Sequence, residues 1–260
     1  MLVQDQRLLT GRLARIADLA GRGRTVADIG SDHAQVPLAL VESGRFESAI
    51  AVELSAGPLA ATRLSVSAST CARLVDVRQG DGLRPLRAGE VDAIVIAGMG
   101  ASTMWDILTS DHAAGLLMDE PPRFVLQPMS GSGLMRFWAE KMGYELVADV
   151  RVREAELVYE CLLLSPPSCG VVADPSTFGS VWRAEYLGLP ATDRMLYACG
   201  SNGLAVRCEW LKRQLDSELS KRQAVLGALA HPRSDAAAAR MVEVRAEYGA
   251  LFRFRQEYFS

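Results

Sequence analysis

The strongest constraint on the fold is a series of strand-like runs, each followed by a helical pattern, that ends in two adjacent strand-like runs. Apolar runs alternate with amphipathic stretches, the runs at 25–30, 48–53, 74–78, 91–97 and 123–127 and the stretches at 34–42, 56–69, 102–108 and 133–142. This alternation predicts a parallel sheet with helices on both faces. The last two runs, 144–152 and 157–164, are joined only by the polar sequence REAE. Such a link is too short for a parallel crossover, so these runs predict an antiparallel hairpin.

Helical patterns flank this series on both sides. Apolar residues at spacings of three and four predict an amphipathic helix over 7–20 that precedes the first strand, with Thr10 as a possible cap. Two long helical patterns separated by His231-Pro232 and Ser234 predict an antiparallel helical hairpin at the other end. We therefore expect an α/β domain over 1–165, a linker or neck over 166–202 and a helical hairpin over 203–260.

Composition narrows the class of protein. The chain has 260 residues and a net charge of −3, and residues 203–260 carry ten Lys/Arg against seven Asp/Glu. A mildly basic appendage on an acidic domain is compatible with nucleic-acid binding through a local patch. No run approaches the length of a membrane-spanning helix and no signal-peptide pattern is present, so we expect a cytoplasmic protein. The five cysteines lack metal-ligand spacing, and we expect no metal.

Acidic residues lie beside glycines where the first three predicted strands end. Asp28 and Gly30 follow the first strand, Glu53 ends the second, and Gln79-Gly80-Asp81-Gly82 follows the third. A glycine allows a sharp turn and a close approach of ligand to backbone, and a carboxylate accepts hydrogen bonds from ribose hydroxyls or an adenine amino group. Each loop alone could be an ordinary turn. Because parallel strands end at one edge of a sheet, the three loops together predict a nucleoside-cofactor site.

The loops after the fourth and fifth strands extend the same edge. Ile96-Ala97-Gly98-Met99-Gly100-Ala101 follows the fourth strand, and its two glycines around Met99 would let a reacting group approach the backbone. Leu126-Gln127-Pro128-Met129 ends the fifth strand, where Gln127 and Pro128 are predicted to form a substrate rim or simply to stop the strand.

Seven stretches of the sequence resemble the bacterial tRNA adenine-N1 methyltransferases that modify adenine 22, the TrmK family. These stretches are LTGRLARIADL, VADIGSDHAQVP, AIAVELSAGPL, VRQGDGL, DAIVIAGMG, VLQP and VYE, all within 9–164. The SDHA form of the first loop and the IAGMG sequence are the most specific of them. Two positions depart from the usual pattern. Ala101 stands in place of a second glycine, and Met129 stands in place of an asparagine, which removes a polar group from the predicted substrate rim.

The resemblance implies a Rossmann-like, seven-stranded methyltransferase sheet that binds S-adenosyl-L-methionine, followed by a C-terminal α-helical hairpin that helps to hold tRNA. A terminal strand hairpin is also typical of methyltransferases, whereas a nicotinamide-binding domain would continue with another helical crossover. On the matching motifs, the cofactor-binding residues are expected to be Asp28, Gly30, Ser31, Asp32, His33, Glu53, Leu54, Gly80, Asp81, Gly82, Ala97, Gly98, Met99 and Gly100.

Methylation of adenine N1 sets modest chemical demands. The N1 lone pair carries no proton, so the reaction needs alignment more than a strong base. The product ring is cationic, and Asp32 is the first candidate to stabilise that charge, with His33 as the neighbouring polar alternative or as a structural hydrogen-bonding group. Arg12 is predicted at the substrate rim, with a solvated helix face as the alternative.

Three other functions remain open at this stage. The chain could methylate another RNA base or a small molecule with the helical hairpin as a lid, and Met129 favours that possibility. A nicotinamide-dependent oxidoreductase is disfavoured because the first loop lacks a G-x-G-x-x-G motif. A non-catalytic cofactor-binding module with an interaction arm is the third possibility.

Overall fold

The fold was analysed in a computed structural model that describes residues 9–117, 120–167, 175–190, 193–194, 196–198, 209–232 and 234–259. The chain divides into two compact units between Trp182 and Arg183. The sequence-based boundaries at 165 and 202 stay a prediction.

The strands of the first unit form one seven-stranded sheet. They are β1 (Gly23–Ile29), β2 (Phe46–Glu53), β3 (Val75–Gln79), β4 (Ala93–Met99), β5 (Arg123–Pro128), β6 (Glu145–Glu154) and β7 (Leu157–Ser165). Their order is β3-β2-β1-β4-β5-β7-β6. The pairs among β1 to β5 are parallel, while β7 runs antiparallel to both β5 and β6. The predicted Rossmann-like sheet and its terminal hairpin are therefore confirmed.

Helices cover this sheet. They are α1 (Gly11–Ala20), α2 (Gln35–Glu42), α3 (Ala56–Ser67), α4 (Ala101–Leu108), α5 (Asp111–Leu117) and α6 (Ser132–Met142), with a short 3₁₀ turn at Ala72–Leu74. The next helix, α7 (Pro175–Gly188), includes the boundary between the two units. Pro37 lies in the first turn of α2, where its missing N–H costs no hydrogen bond. Gly143 caps the carboxyl end of α6. Its φ of 73° lets its backbone N–H donate hydrogen bonds to the carbonyl oxygens of Ala139 and Glu140.

Two helical regions differ from those predicted from the sequence. The first helix was predicted to start at residue 7, but Leu9 and Thr10 lie outside it and α1 starts at Gly11; residues 1–8 fall outside the described part of the chain. Thr10 is the N-cap residue but makes no side-chain cap bond. α5 was missed because its seven residues offer too short an apolar pattern.

The core of the first unit lies on both faces of the central strands. β1, β2, β4 and β5 are near-continuous apolar runs, as expected for parallel strands buried on both faces. The largest fully buried side chains include Trp105, Phe124 and Trp138. Phe124 and Trp138 meet edge to face with ring centroids 5.6 Å apart. This packing fixes the sheet whose carboxyl edge carries the predicted loops.

A buried ion network joins α6 to the terminal hairpin. The guanidinium of Arg136, 5% exposed, lies 2.8 Å from an Asp149 oxygen and 3.1 Å from a Glu160 oxygen. Arg136 also donates to Ser132 Oγ at 2.9 Å, and Arg151 lies 3.3 Å from Glu160. Ser132 begins α6 directly after the loop from β5, so the network anchors that loop.

The second unit contains two long helices, α8 (Glu209–Ala228) and α9 (Asp235–Phe259). Arg222 pairs with Glu247, while Asp216 pairs with Arg255. Earlier residues of α8 thus meet later residues of α9, which confirms an antiparallel helical hairpin. Among the described side chains of this unit, the buried apolar ones are Leu215, Leu219, Val244, Leu251 and Phe254.

We expect Arg136→Met to lower the free energy of unfolding by about 3 to 5 kcal/mol, because it leaves buried Asp149 without its cation and leaves Glu160 with Arg151 alone. Urea unfolding followed by circular dichroism measures this change. Arg153→Met is the matched control on the same hairpin, since the Arg153 side chain is 71% exposed and its pair with Glu156 is a surface contact. We expect the control to cost less than about 1 kcal/mol. Equal losses in the two variants would contradict the assigned role of the network.

Candidate functional site

The loop after β1 adopts a left-handed turn built mostly from residues other than glycine. Gly30 has a φ of 71°, and Asp32, His33 and Ala34 follow with φ values of 37°, 66° and 53°. Such conformations are sparsely populated for side-chain-bearing residues and persist where surrounding contacts enforce them. Strain of this kind is concentrated at functional sites. Gly30, Asp32 and His33 were predicted as site residues from the sequence, but their left-handed backbone conformation was not.

Glu53 and Thr62 hold this turn in place. Glu53 Oε1 accepts the Asp32 backbone N–H at 2.7 Å, and Thr62 Oγ1 accepts the His33 N–H at 3.2 Å. The Thr62 hydroxyl also donates to Glu53 Oε1 at 3.4 Å. Glu53 is 5% exposed and Thr62 is fully buried. Thr62 lies on α3, and its sequence context gave no sign of this contact.

Two neighbouring chambers open at the carboxyl edge of the sheet. The first chamber has a volume of about 370 Å³, and the predicted residues that line it are Gly30, Glu53, Leu54, Gly80, Asp81, Gly82 and Met99. The second chamber has a volume of about 320 Å³ and is lined by Arg12, Asp28, Gly30, Ser31, Asp32, Ala97, Gly98 and Met99, with Gln35 added by the structure. The loops from different strands are thus brought together.

Gly30 and Met99 line both chambers and form the wall that they share. A methyl group added at Gly30 would overlap the terminal methyl of Met99. The absence of a side chain at Gly30 therefore lets Met99 lie directly on the backbone of the first loop. Gly98 and Gly100, on either side of Met99, have no atom within 4 Å of the position that a side chain would take.

A β-bulge shapes the loop at the end of β4. The register with β5 shifts between Ala97 and Met99, and the extra residue Gly98 has a φ of 76°. Gly98 has no partner residue in the ladder with β5, and its amide donates to the side-chain Oε1 of Gln127 at 3.2 Å. Gln127 is fully buried, so its side chain lies behind the rim where it was predicted and acts by holding the bulge. Pro128 is buried beside it.

Arg12 connects α1 to this bulge. Its Nη1 donates to the same Oε1 of Gln127 at 3.1 Å, and its guanidinium lies 5.4 Å from the centre of the Tyr159 ring. Arg12 Nε is 3.7 Å from a Glu154 oxygen. Arg12 thus lines the second chamber and is held by contacts on three sides. The VYE stretch of the sequence contributes Tyr159 here.

Asp28 is a buried acid at the base of the second chamber. It is 5% exposed, and burial raises the pKa of its carboxyl to about 7; the neighbouring Ser31 side chain works in the opposite direction, and the charges of Glu53 and Asp32 add to the rise. Ser31, 6% exposed, lines the same chamber, and its hydroxyl makes no hydrogen bond within the described part of the chain. A polar ligand in this chamber would satisfy both groups.

The remaining predicted residues lie near the chambers without lining them. His33 Nε2 is 3.7 Å from an Asp32 carboxylate oxygen, and the Ser65 hydroxyl lies 3.5 Å from its Nδ1. Gly100 is the N-cap residue of α4. The structure adds Arg84, Thr103 and Asp106 to the first chamber, none of which lies in a motif that the sequence analysis singled out.

Comparison with known proteins agrees with this geometry. The profile of a methyltransferase domain family matches residues 9–162, which is more than half of the chain. The chain belongs to this methyltransferase domain family. The tRNA (adenine(22)-N(1))-methyltransferase of Bacillus subtilis (strain 168) is 37% identical over 157 residues, which are 60% of this chain and 64% of that relative. The aligned part therefore spans less than two thirds of the relative's length.

Solved structures extend the similarity over the whole methyltransferase chain. The B. subtilis m1A22 tRNA methyltransferase TrmK superposes with a TM-score of 0.76 at 26% identity, covering 97% of this chain and 99% of that one. A putative tRNA (m1A22) methyltransferase from Streptococcus pneumoniae gives 0.66 at 26% identity, covering 94% and 100%. Both superpositions therefore extend beyond the Rossmann-like domain of this chain into its C-terminal helices.

The described residues contain neither a metal-binding cluster nor a membrane-spanning helix. No cluster of three or more His, Cys, Asp or Glu side chains within those ranges is arranged to hold a metal ion. No helix there has both the length and the apolar character needed to cross a membrane. Cys71 and Cys161 are free thiols; the other three cysteines lie outside the described residues.

We expect Asp28→Asn to stabilise the ligand-free protein at pH 8 by about 4 kcal/mol relative to the wild type, since each unit of pKa corresponds to about 1.4 kcal/mol. The raised pKa means that ionised Asp28 is disfavoured in the folded state, so its cost to stability grows from about pH 4 and is complete above about pH 7. The gain of the variant should therefore shrink as pH falls towards 4. Chemical unfolding at a series of pH values measures it.

Asp92→Asn provides the control with opposite sign. Burial works against ionisation of Asp92, but the Thr25 and Arg24 amides and the Arg24 guanidinium stabilise its carboxylate and lower its pKa overall. Removal of that charge should therefore destabilise the protein at neutral pH, and the loss should diminish in acid. A pH-independent effect of Asp28→Asn would show that its burial does not disfavour the charge.

Proposed function

We propose that this methyltransferase transfers a methyl group from S-adenosyl-L-methionine to N1 of an adenine in tRNA, at position 22. The observation that carries the proposal is the meeting of the acidic loops after β1, β2 and β3 around adjoining chambers in a chain similar to a tRNA (adenine(22)-N(1))-methyltransferase. A tRNA substrate would place the activity in the cytoplasm.

The chemistry of the chambers fits the proposed cofactor. The first chamber offers the carboxylates of Glu53 and Asp81, which accept hydrogen bonds from hydroxyl and amino groups. Glu53 Oε1 is occupied by the first loop, so the second oxygen, Oε2, is the one we assign to a ribose hydroxyl. The second chamber offers buried Asp28 and the unpartnered hydroxyl of Ser31, which suit an ammonium and a carboxylate respectively.

The cofactor and target base would be brought together at the Met99 loop. When bound, S-adenosyl-L-methionine supplies an electrophilic methyl group on a sulfonium centre. Gly98 and Gly100 leave the backbone open there, and the Arg12–Gln127 contact holds the bulge that carries Gly98. These residues align the reactants, which is the main requirement for attack by a nitrogen lone pair that carries no proton.

Asp32 is the residue we assign to the positive charge that develops on the adenine ring. Its carboxylate is 83% exposed at the second chamber, and the left-handed turn fixes its backbone. Because the carboxylate is not used by the Glu53 or Thr62 contacts, it is available to the base. His33, whose ring lies beside it, would orient this carboxylate.

One alternative substrate class has a specific observation in its favour. Met129 is 49% exposed beside the bulge and donates its backbone N–H to the Met99 carbonyl at 2.8 Å. An apolar side chain there suits a different RNA base or a small molecule as well as adenine. The non-catalytic alternative predicts cofactor binding without methyl transfer.

The decisive experiment is incubation of the full chain with labelled S-adenosyl-L-methionine and unmodified bulk tRNA, followed by nuclease digestion and mass spectrometry. We expect N1-methyladenosine at position 22. Methylation of another base would overturn the assigned target but keep the enzyme class. Cofactor binding without labelled RNA would overturn the tRNA substrate.

We expect Asp32→Ala to lower kcat by at least about 10-fold while the Kd for the cofactor changes little, since the lost charge acts in the transition state. Steady-state kinetics and equilibrium dialysis separate the two quantities. Glu47→Ala is the control, because Glu47 is an exposed acid at the opposite end of β2. Wild-type kcat in the Asp32 variant would remove this residue from the mechanism.

A further inference from the structure

The structure separates the basic residues of the helical hairpin into two groups. Lys221, Arg222, Arg240 and Arg255 form ion pairs within the hairpin. Lys212, Arg213, Arg245 and Arg253 form no ion pair among the side chains that the structure describes; Arg207 and Arg233 lie outside the described residues. Only cations of the second group are available to a partner without breaking an existing pair.

Two of the unpaired arginines share one face of α9 with an aromatic pair. We call the residues Arg245, Tyr248, Gly249, Phe252 and Arg253 the α9 stripe. Their spacings of three, one, three and one place them on one side of a helix with 3.6 residues per turn. Arg245, Phe252 and Arg253 are exposed, whereas the buried side chains Val244, Leu251 and Phe254 lie on the other face.

The stripe has a flat aromatic surface. The Tyr248 and Phe252 rings are stacked, with centroids 6.1 Å apart and planes 14° apart. Phe252 is 42% exposed, which leaves much of its ring open to solvent. Gly249 adds no side chain beside them, and only the Arg253 guanidinium comes near its Cβ position, at 3.5 Å.

Two exposed arginines flank the aromatic pair. Of the acids of α9 within five residues of the stripe, Glu243 is paired with Arg240 and Glu247 with Arg222 and Arg194, while Glu257 follows Arg253 by four residues. Arg245 and Arg253 are eight residues apart and lie on either side of Tyr248 and Gly249, a separation along the helix of about 12 Å. An aromatic surface between two free cations is complementary to a base flanked by phosphates.

We propose that the α9 stripe binds an unpaired nucleotide of tRNA, whose base stacks on Phe252 while Arg245 and Arg253 contact neighbouring phosphates. This inference rests on the proposed tRNA substrate and specifies how the hairpin would recognise it. Stacking tolerates any base, so the stripe binds a single-stranded element without reading its sequence.

The test measures the Kd of the full chain for unmodified tRNA by fluorescence anisotropy at several salt concentrations. We expect Phe252→Ala to raise Kd about 5- to 100-fold and Phe252→Trp to retain wild-type affinity, because tryptophan preserves the stacking surface. Val242→Ala is the matched control, since Val242 is a 65% exposed apolar residue on the same helix. It should leave Kd unchanged.

The arginines are tested by their salt dependence. Replacement of both Arg245 and Arg253 by Gln should reduce the slope of log Kd against log salt by about 1 to 2, because each phosphate contact releases counterions. Arg240→Gln, which removes an arginine already paired with Glu243, should leave the slope unchanged. Circular dichroism confirms that each variant keeps its helices.

Two results would overturn the proposal that the α9 stripe binds tRNA. One is an unchanged Kd in Phe252→Ala, and the other is an equal slope in the Arg245/Arg253 and Arg240 variants. Phe252-dependent tRNA binding without formation of N1-methyladenosine would support the stripe and contradict the proposed function. If tRNA is methylated but its binding does not depend on Phe252, the proposed function is supported and the role of the stripe is contradicted. A wild-type chain that binds no tRNA would overturn both proposals.

Discussion

The carboxylate of Glu53 is the interaction on which the candidate site depends. One of its oxygens accepts the Asp32 amide and the Thr62 hydroxyl, and the same side chain lines the first chamber. The turn it holds places Asp32, His33 and Ala34 in left-handed conformations that would relax without external hydrogen bonds. Asp32, which lines the second chamber, is therefore held by Glu53, which lines the first chamber. The two chambers depend on the same hydrogen bonds and form one site.

Most of the fold and the positions of the loops could be predicted from the sequence. Strand and helix periods differ clearly along the first 165 residues, and parallel topology then places the loops with Asp28, Glu53 and Asp81 at one edge. The contacts that organise the site could not be predicted. Thr62 contacts Glu53 and the His33 amide, and Tyr159 contacts Arg12. Only the tertiary fold brings these residues together, and the periodicity of apolar residues carries no information on such pairs.

Gln127 and the helical hairpin show the same limit in different ways. Sequence placed Gln127 at the rim, but the bulge at Gly98 leaves an amide that the buried Gln127 side chain must satisfy. In the hairpin, the count of basic residues was correct but did not distinguish paired from unpaired cations. Arg222 pairs with Glu218 one turn earlier on its own helix and also with Glu247 on the neighbouring helix, and only the first of these pairs could be predicted from sequence spacing.

The protonation state of buried Asp28 in the second chamber affects the heat that is measured when a ligand binds there. Asp28 is partly protonated near pH 7 because of its burial. A ligand that brings a positive charge beside it favours the ionised form, so binding expels a proton into solution. The buffer absorbs that proton with its own enthalpy of ionisation. Calorimetric heats for a cationic ligand would then differ between buffers of equal pH, whereas those for an uncharged ligand would not.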